Sequence, residues 1–540
     1  MTAESKSSLV LEALAQRGFE YLGPAANGWL RVEGELHTSK GSHRCEMQLD
    51  PKFFELPTVR LLKAPANLPR VVPHLAGGVH LCYIAAGSVV LDIFDPVGQT
   101  LACTERAQQV LDQVLQGKML EDLEEEFYLQ WGHELCVVDI QNVRLGRHDS
   151  LLFQAGDETF AVVTDDRDRT LRKLKSLNWS IVEGTIQTFR IRTHAKPRPH
   201  ITTWPPKTVK DVLQWQGLLD PRARKKIEQR LFDVYGTTAR GALVVIESPL
   251  LTYAFGVTFE RPVRRPRAPK PKHAALHAQR VSPMTVLRID DRYLAERNTP
   301  GMKTLAGKNI ALVGCGTIGG YLADMLVKAG AGTSGGRLSL VDFEKLLPQN
   351  LGRHRLGFAS LFMNKAQALV SELERAAPGA NIRALAVDVK DAHLGDIDLL
   401  IDATGEEALG HWLCAKYARD VPMLSAWIEG PGVAVRTLLR ASSGGACYRC
   451  LCLANRRGEL LSVKGGAPSV LVGQGCEGLY VPFPATVSMQ AASLAATAAI
   501  DWVNGVSSPA LRTNVLEAKY TAATPDCDPS QQQDCPACSS

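Results

Sequence analysis

The chain has 540 residues, enough for about three domains that each bury a core. Its formal charge of +5 is small for this length, which argues against a protein that binds nucleic acid over its whole surface. Residues 1–11 lack a basic and then apolar leader, and no apolar run reaches about 18 residues, so we predict a cytoplasmic protein without membrane spans. In a reducing compartment the 13 cysteines are expected to be metal ligands, nucleophiles and core residues rather than disulfides.

Residues 1–150 are predicted to form a small α+β domain: a helix, an antiparallel meander, an irregular stretch and further helices. The predicted helices cover 7–16, 104–115 and 121–131, and the predicted strands cover 28–36, 43–49 and 58–62. Cys82 lies in the irregular stretch, close to His74 and His80. Cys45 and Cys103 fall in a predicted strand and at a predicted helix start, where we expect structural roles.

This order of elements resembles the ubiquitin-conjugating enzymes, whose nucleophilic cysteine lies in such an irregular stretch. The resemblance implies that Cys82 accepts an acyl group, with His74 and His80 as candidates for a nearby base or hydrogen-bond donor. The family's His-Pro-Asn triplet is absent, because Leu75 and Ala76 follow His74. The group that would stabilise an oxyanion is therefore unassigned, and a buried core cysteine is the alternative interpretation of Cys82.

Residues 151–283 are predicted to form an α+β linker domain without recognisable chemistry. The predicted strands cover 160–163, 186–191, 243–247 and 252–258, and the predicted helices cover 209–215 and 222–235. A tether is predicted over 261–280, since residues 261–272 hold four prolines, six basic residues and no acid.

Residues 284–540 are predicted to form a Rossmann-like α/β domain with a parallel-rich sheet. The apolar run 310–313 reads as a buried strand, and a glycine-rich turn and helical spacing follow it. In that turn Gly314 suits a tight bend, Gly316 lets a phosphate approach the backbone, and Gly319 allows close packing of helix and strand. The motif alone predicts a nucleotide-binding site and does not identify the nucleotide.

Polar residues after the glycine loop favour ATP over a nicotinamide dinucleotide. Asp342 ends the next predicted strand, at the place where an acid binds ribose hydroxyls. Asn350, Arg353 and Lys365 follow, and cations are needed when ATP releases pyrophosphate. Asp402 ends a further strand at the carboxyl edge of the sheet and is a candidate Mg²⁺ ligand.

The loop and these residues resemble the ubiquitin-activating (ThiF-like) adenylyltransferases over about residues 284–540. The residues that carry the resemblance are the three loop glycines, Asp342, Asn350, Arg353, Lys365, Asp402, Cys447 and Cys450. It implies that ATP adenylates the C-terminal glycine of a small protein, in a homodimer where Arg297 reaches the ATP of the partner subunit. The family often has a second acid soon after the Asp402 position, where this chain has Gly405, so the Mg²⁺ ligands are less defined than the nucleotide site.

Two Cys-x-x-Cys pairs, Cys447 with Cys450 and Cys535 with Cys538, have the spacing of zinc ligands. Each pair can place two thiolates on one ion from a tight turn, so we predict one structural Zn²⁺. A redox role is less consistent, because neither pair is predicted to open a helix after a strand.

Between the pairs, residues 460–484 are rich in glycine and lack an apolar period. In the ThiF-like family the corresponding crossover loop carries the cysteine that takes the acyl group from the adenylate. The resemblance implies this role for Cys476, the only cysteine of the segment, and an incidental loop thiol is the alternative. Cys315 and Cys414 are predicted to be packed rather than reactive.

A conjugating domain fused to an activating domain resembles the fusion proteins of bacterial anti-phage signalling (CBASS) operons. The resemblance implies transfer of an acyl group from AMP to Cys476, to Cys82 and to a lysine amine of a target. The implied substrate is a protein with a C-terminal glycine or small-residue tail, such as a cyclic-oligonucleotide synthase. Two alternatives stay open: a sulfur-carrier activator with a non-catalytic N-terminal binding module, and a nucleotide-binding oxidoreductase or scaffold.

Overall fold

The structure is a computed structural model. It describes residues 3–85, 87–132, 134–142, 144–182, 184, 186–235, 237–260, 273–441, 445–473 and 480–538. The chain divides into two compact units. Unit 1 comprises Met1–Cys136, Leu145–Ser150 and Thr185–Val286, and unit 2 comprises Val137–Arg144, Leu151–Gly184 and Leu287–Ser540.

The N-terminal part of unit 1 is an antiparallel sheet with flanking helices. Its helices are α1 (Ala3–Ala15), α2 (Pro96–Leu115) and α3 (Phe127–Trp131), and its strands are β1 (Glu20–Pro24), β2 (Leu30–Thr38), β3 (Gly41–Leu49), β4 (Thr58–Leu61), β5 (Leu75–Ala76) and β6 (His80–Leu81). The strand order is β1-β2-β3-β4-β6-β5, and every neighbouring pair is antiparallel. This confirms the predicted helix and meander.

Two helices differ from the prediction. The helix predicted from residue 104 begins at Pro96, because Asp95 caps it by accepting a hydrogen bond from the Gly98 N–H at 2.8 Å and proline suits the first helical position. The helix predicted over 121–131 is interrupted, with a 3₁₀ turn at Leu120–Leu123 before α3.

The middle of the chain adds further helices and strands, which are divided between the two units. Its helices are α4 (Arg167–Ser176), α5 (Val209–Leu219), α6 (Pro221–Tyr235) and α7 (His273–His277), and its strands are β7 (Glu134–Asp139), β8 (Gly146–Ala155), β9 (Glu158–Thr164), β10 (Ser180–Val182), β11 (Gln187–Arg192), β12 (Gly241–Glu247), β13 (Thr252–Thr258) and β14 (Arg280–Arg288). Within unit 1 the order is β8-β11-β12-β13-β14, with only β11 and β12 parallel. The predicted tether residues 261–272 lie outside the described residues, and α7 occupies 273–277.

An aromatic core joins this sheet to the N-terminal part of unit 1. Phe127 and Trp131 of α3 pack against Trp204, Trp215 and Tyr253, with ring centroids 5.2–6.0 Å apart. The Trp131 indole donates a hydrogen bond to the Ala254 carbonyl oxygen at 2.9 Å, which satisfies its buried N–H. The two parts of unit 1 therefore share one buried aromatic core.

In unit 2, residues between 137 and 184 are held to the start of the C-terminal part by buried ion pairs. Asp139 is fully buried and contacts Arg169 Nε at 3.2 Å and Lys173 Nζ at 2.9 Å. Lys173 Nζ also contacts Asp291 at 2.9 Å and donates to the Ile289 carbonyl oxygen at 2.9 Å. Removing one partner would leave an uncompensated buried charge, so the network fixes the chain just before the nucleotide-binding strands.

The C-terminal part of unit 2 is a parallel-rich α/β fold. Its helices are α8 (Asp291–Glu296), α9 (Thr317–Lys328), α10 (Lys365–Ala376), α11 (Glu407–Tyr417), α12 (Tyr448–Arg456) and α13 (Ala485–Val503), and its strands are β15 (Asn309–Val313), β16 (Arg337–Val341), β17 (Ile382–Leu385), β18 (Leu399–Asp402), β19 (Met423–Glu429), β20 (Ala434–Arg440) and β21 (Leu511–Val515). The order is β17-β16-β15-β18-β19-β20-β21, parallel up to β19 and antiparallel after it. This confirms the predicted Rossmann-like domain, and its parallel strands end at one edge.

Among the described helices, none has the length and apolar character needed to cross a membrane.

Candidate functional site

The glycine loop joins β15 to α9 and leaves room for a ligand. Gly314 has φ +88° and donates its N–H to the Val341 carbonyl oxygen at 2.9 Å. A Cβ on Gly319 would lie 1.8 Å from the Gly314 carbonyl oxygen, so only glycine fits there. Gly316 is the N-cap of α9, no described side chain caps that end, and a Cβ on Gly316 would meet nothing within 4 Å. The uncapped N–H groups at the start of α9 are therefore suited to bind an anion.

A cavity of about 740 Å³ lies at this edge of the sheet. Five of the predicted residues line it: Gly314, Gly316, Asp342, Arg353 and Lys365. Pockets of about 300–1,000 Å³ are typical of sites for nucleotide-sized ligands. The structure thus brings the loop, an acid and two cations to one cavity.

Asp342 is held in place by backbone donors. One carboxylate oxygen accepts from the Cys315 N–H and the other from the Glu344 N–H, each at 2.8 Å. Burial raises the pKa of Asp342, and these two hydrogen bonds oppose part of the rise. Lys365 is buried and paired with the half-exposed Glu344. The carboxylate of Asp342 and the ion pair of Lys365 with Glu344 therefore both lie at the cavity wall.

Arg353 connects the cavity to the segment after residue 479. Its Nη1 donates to the Val481 carbonyl oxygen at 2.8 Å, and its guanidinium lies 4.4 Å from the centre of the Phe483 ring. Its Nε is buried without a hydrogen-bond partner in the described part of the chain. Burial lowers the pKa of Arg353, although a guanidinium stays charged. A charged group with an unused buried donor is suited to bind an anion.

His354 supports the glycine loop, and the sequence analysis did not identify it. Its Nδ1 accepts from the Leu356 N–H at 3.0 Å, so the ring proton is on Nε2, which donates to the Cys315 carbonyl oxygen at 2.9 Å. Burial lowers the pKa of His354 to about 4, which keeps the ring neutral at pH 7. With Asp342 on the Cys315 N–H, both backbone groups of Cys315 are held by side chains. The only available signal was the position of His354 directly after Arg353.

Besides Gly319, whose role is close packing in the loop, three predicted nucleotide-site residues are not among the residues that line the cavity. Asp402 is buried at the end of β18, where one oxygen accepts from the Thr404 hydroxyl at 2.7 Å and N–H at 3.1 Å. Burial raises the pKa of Asp402. The Asn350 side chain accepts from the Leu347 N–H at 3.0 Å, and Arg297 is exposed just after α8. Their proposed roles therefore stay predictions.

The two Cys-x-x-Cys pairs converge into one buried cluster. The Sγ distances are 3.7 Å for Cys447–Cys450, 3.7 Å for Cys447–Cys535 and 3.4 Å for Cys450–Cys538, and all four sulfurs lie within 4.8 Å of one another. Thiolates about 2.3 Å from a tetrahedral zinc ion lie roughly 3.8 Å apart. The donor set fits zinc in number, chemistry and spacing.

One expectation about these pairs was wrong. Cys447 is the N-cap of α12, which follows β20, so the first pair does open a helix after a strand. The redox alternative is still less consistent with the cluster, because the second pair closes onto the first rather than leaving it free.

Cys535→Ser should remove about one equivalent of zinc and lower the Tm of unit 2, because a structural metal contributes folding free energy. The matched control is Cys527→Ala, a half-buried cysteine of the same part of unit 2 that lies outside the four. Elemental analysis and thermal unfolding check both variants. Equal zinc content in Cys535→Ser and wild type would contradict the assignment.

Cys82 follows β6 and is exposed, whereas Cys45, Cys103 and Cys136 are buried. Its N–H donates to the His74 carbonyl oxygen at 2.8 Å. Partial burial, followed by the negative charge of Glu126, raises the pKa of Cys82.

The histidines near Cys82 do not form the predicted pairing with its thiol in the described structure. The His74 ring lies 2.8 Å from an Asp122 oxygen, and the backbone N–H of His74 donates to Glu126 at 3.1 Å. His80 is exposed on β6. His74 has φ +59°, an uncommon conformation for a residue with a side chain. Asp122 and Glu126 therefore engage His74, and the charge of Glu126 also acts on Cys82.

Cys476 lies in residues 474–479, outside the described residues. On either side, Val472 and Tyr480 exchange two backbone hydrogen bonds of 3.0 and 2.9 Å. Val481 and Phe483, just beyond, line the cavity. The chain on the C-terminal side of this segment thus leads directly into the candidate nucleotide site.

Comparison with known proteins finds matches for both the N-terminal and the C-terminal part of the chain. The ThiF family model matches residues 291–537, and the model of prokaryotic E2 family B matches residues 29–135. The chain is 55% identical over 545 residues to the ATP-dependent ubiquitin transferase-like protein Cap2 of Pseudomonas aeruginosa, covering 100% of both chains. The Cap2 protein of Vibrio cholerae is 28% identical over 499 residues, 84% of each chain.

Among solved structures, the E. coli protein MccB with AMPCPP and MccA has a TM-score of 0.33 and 17% identity, covering 43% of this chain and 67% of that one. The match to the Pseudomonas protein is much stronger evidence of family membership, because it spans both domains at 55% identity. The chain belongs to the Cap2 family of ATP-dependent ubiquitin transferase-like enzymes, with an E2-like domain followed by a ThiF domain.

Proposed function

We propose that this enzyme adenylates the C-terminal carboxylate of a protein and transfers the acyl group through Cys476 and Cys82 to a lysine amine. The proposal rests on the presence of two features in one chain. One is an ATP-sized cavity lined by Arg353 and Lys365, and the other is an E2-like domain that exposes Cys82. The family membership supports ubiquitin-like conjugation, and the individual steps are the proposal.

In the first step a carboxylate oxygen attacks the α-phosphorus of ATP, the bond to the bridging oxygen breaks, and pyrophosphate leaves. The N–H groups at the start of α9 would bind phosphate, and Asp342 would bind the ribose hydroxyls. Arg353 and Lys365 would stabilise the charge that accumulates on pyrophosphate, which is where catalysis of this reaction has most to gain.

Asp402 has the chemistry of a Mg²⁺ ligand, because carboxylate oxygens are preferred by this ion. Thr404 engages one of its oxygens, which leaves the other for a cation. Thr404 and Glu406 line the cavity and offer further oxygens. When bound, Mg²⁺ would neutralise charge on the departing pyrophosphate.

The remaining steps exchange one acyl bond for another. The Cys476 thiolate attacks the acyl carbonyl and AMP leaves; the Cys82 thiolate then attacks and frees Cys476; finally a lysine amine attacks and frees Cys82, with its proton passing to solvent or a base. The contacts of Arg353 with Val481 and Phe483 support a nucleotide site adjacent to the Cys476 segment.

The proposed substrate is a cyclic-oligonucleotide synthase conjugated through its own C-terminus, and the proposed assembly is a homodimer to which Arg297 contributes. ATP–pyrophosphate exchange tests the first step, with a purified synthase whose C-terminus is intact and with the same synthase lacking its last two residues. Exchange should require the intact C-terminus. Equal exchange with both proteins would contradict the proposal.

His354→Leu should raise the KM for ATP in this exchange about tenfold, because an unpaired buried carbonyl at Cys315 costs about 1–3 kcal/mol. His354→Gln, whose amide can donate to the same oxygen, is the matched control and should stay within about threefold of wild type. An unchanged KM in the leucine variant would show that His354 does not support the glycine loop.

His354 should also make stability depend on pH. The pKa of an ordinary histidine is 6.5, and burial lowers the pKa of His354 in the folded chain to about 4. The unfolded chain therefore binds the proton first, so the stability from the neutral ring is complete above pH 6.5 and is lost as the pH falls toward 4. Denaturant unfolding between pH 4 and 7 should show a weaker pH dependence in His354→Leu than in wild type.

Glu126→Gln should speed acyl transfer to Cys82 about two- to fivefold at neutral pH, because the removed negative charge disfavours the thiolate. The amide keeps an acceptor for the His74 N–H. Salt screens the interaction at this exposed thiol, so the difference should shrink at high ionic strength. A slower transfer in Glu126→Gln would indicate instead that Glu126 acts as a base.

A further inference from the structure

Three side chains of metal-ligating types converge in unit 1, whereas the nucleotide cavity and the cysteine cluster belong to unit 2. Glu228 lies on α6, and His273 and His277 lie on α7. One ligand atom from each lies within 4.8 Å of the others. Histidines four residues apart project to the same side of a helical turn, an arrangement that lets both rings reach one ion.

The distances between these donors are close to those around a bound metal. His277 Nε2 lies 2.8 Å and His273 Nδ1 lies 3.7 Å from the same oxygen, Oε1 of Glu228. Nitrogen and oxygen ligands about 2.0–2.1 Å from a tetrahedral zinc ion lie roughly 3.3–3.4 Å apart. Side-chain shifts of roughly half an ångström would therefore give coordination geometry.

Neighbouring side chains orient the cluster. Phe232, one turn along α6 from Glu228, stacks on His273 with centroids 4.1 Å apart and planes 6° apart. Arg224 contacts the other Glu228 oxygen, Oε2, at 3.2 Å, which orients the carboxylate and leaves Oε1 toward the histidines. One imidazole and the carboxylate thus need little further ordering to bind an ion.

We propose that Glu228, His273 and His277 form a second metal site, which takes Zn²⁺ or a neighbouring first-row divalent ion. Two imidazoles and a carboxylate suit these ions and leave a fourth position for water. The bound ion would fasten α7 to α6 directly after the proline-rich basic residues 261–272. The site is independent of the proposed transfer reaction.

Titration of the purified full-length chain with ZnCl₂, followed by isothermal titration calorimetry, tests the site. The wild type should bind one equivalent of Zn²⁺ more than the double variant His273→Gln/His277→Gln. The Zn²⁺ affinity of the site should fall by at least about 100-fold in that variant, because loss of an outer-shell partner alone costs up to that factor. His200→Gln, a histidine of unit 1 outside the cluster, is the matched control and should retain the extra equivalent.

Titration with CoCl₂ gives a second readout that separates the two sites. Co²⁺ on nitrogen and oxygen ligands should add visible d–d bands without the sulfur-to-metal absorption that the cysteine cluster would give, and Glu228→Gln should weaken these bands. An unchanged Zn²⁺ stoichiometry in the double variant, or an unchanged Co²⁺ spectrum in Glu228→Gln, would overturn the proposal.

Discussion

Cys82→Ala should accumulate the acyl group as a thioester on Cys476 and form no conjugate, whereas Cys476→Ala should form the acyl adenylate and no thioester. The order follows from the proposed mechanism, since the chain that follows the Cys476 segment leads into the candidate nucleotide site, where the adenylate would form. A non-reducing gel after incubation with ATP and an intact synthase should show a thiol-sensitive adduct in the first variant only. Both effects are expected to be complete losses of one step.

Cys527→Ser is the matched control for this experiment, because Cys527 is half-buried and outside both the cysteine cluster and the proposed transfer path. It should form adenylate, thioester and conjugate as the wild type does. Normal conjugation by Cys82→Ala would leave the E2-like domain as a binding module, and the sulfur-carrier alternative would then be the better account.

Asp402→Asn should reduce ATP–pyrophosphate exchange about 10²- to 10³-fold while ATP binding falls much less, because the carboxylate would act on charge that develops in the transition state. The amide keeps an oxygen for the Thr404 hydroxyl, so the local fold is preserved better than with alanine. Calorimetric ATP binding and the exchange rate, measured on the same protein, separate the two effects.

Asp388→Asn is the control for Asp402→Asn. Asp388, unlike Asp402, lines the cavity, where it pairs with Lys390 at 3.1 Å, and it has no assigned role in the chemistry. Its exchange rate should stay within about threefold of wild type. Full exchange by Asp402→Asn would show that the carboxylate is structural.

The elements of unit 2 that follow local rules were predictable from the sequence. The strand, glycine loop and helix around Gly316 were predicted because apolar runs and glycines encode them within a few residues. The start of α2 was missed, although Asp95 and Pro96 carry a cap signal. The shared aromatic core of Trp131 and Trp215 was not foreseen, because long-range packing leaves no local pattern.

The sequence predicted which residues form the candidate site better than it predicted where their side chains lie. Arg353 and Lys365 were expected in the cavity and line it, but Asp402 is buried behind Thr404. A strand end locates a carboxylate only to one edge of a sheet, and the side-chain direction depends on neighbours far away in sequence. His354 carries no periodic or motif signal, so its hydrogen bond to the glycine loop emerged only from the structure.

The most direct test of the central claim is peptide mass spectrometry of the product formed from the enzyme, ATP and a synthase with an intact C-terminus. The account predicts an amide bond between the C-terminal residue of the synthase and a lysine side chain. That bond should be absent when ATP is omitted and when Cys82→Ala replaces the wild type. A C-terminal thiocarboxylate in place of the amide, or the same amide formed by Cys82→Ala, would contradict the account.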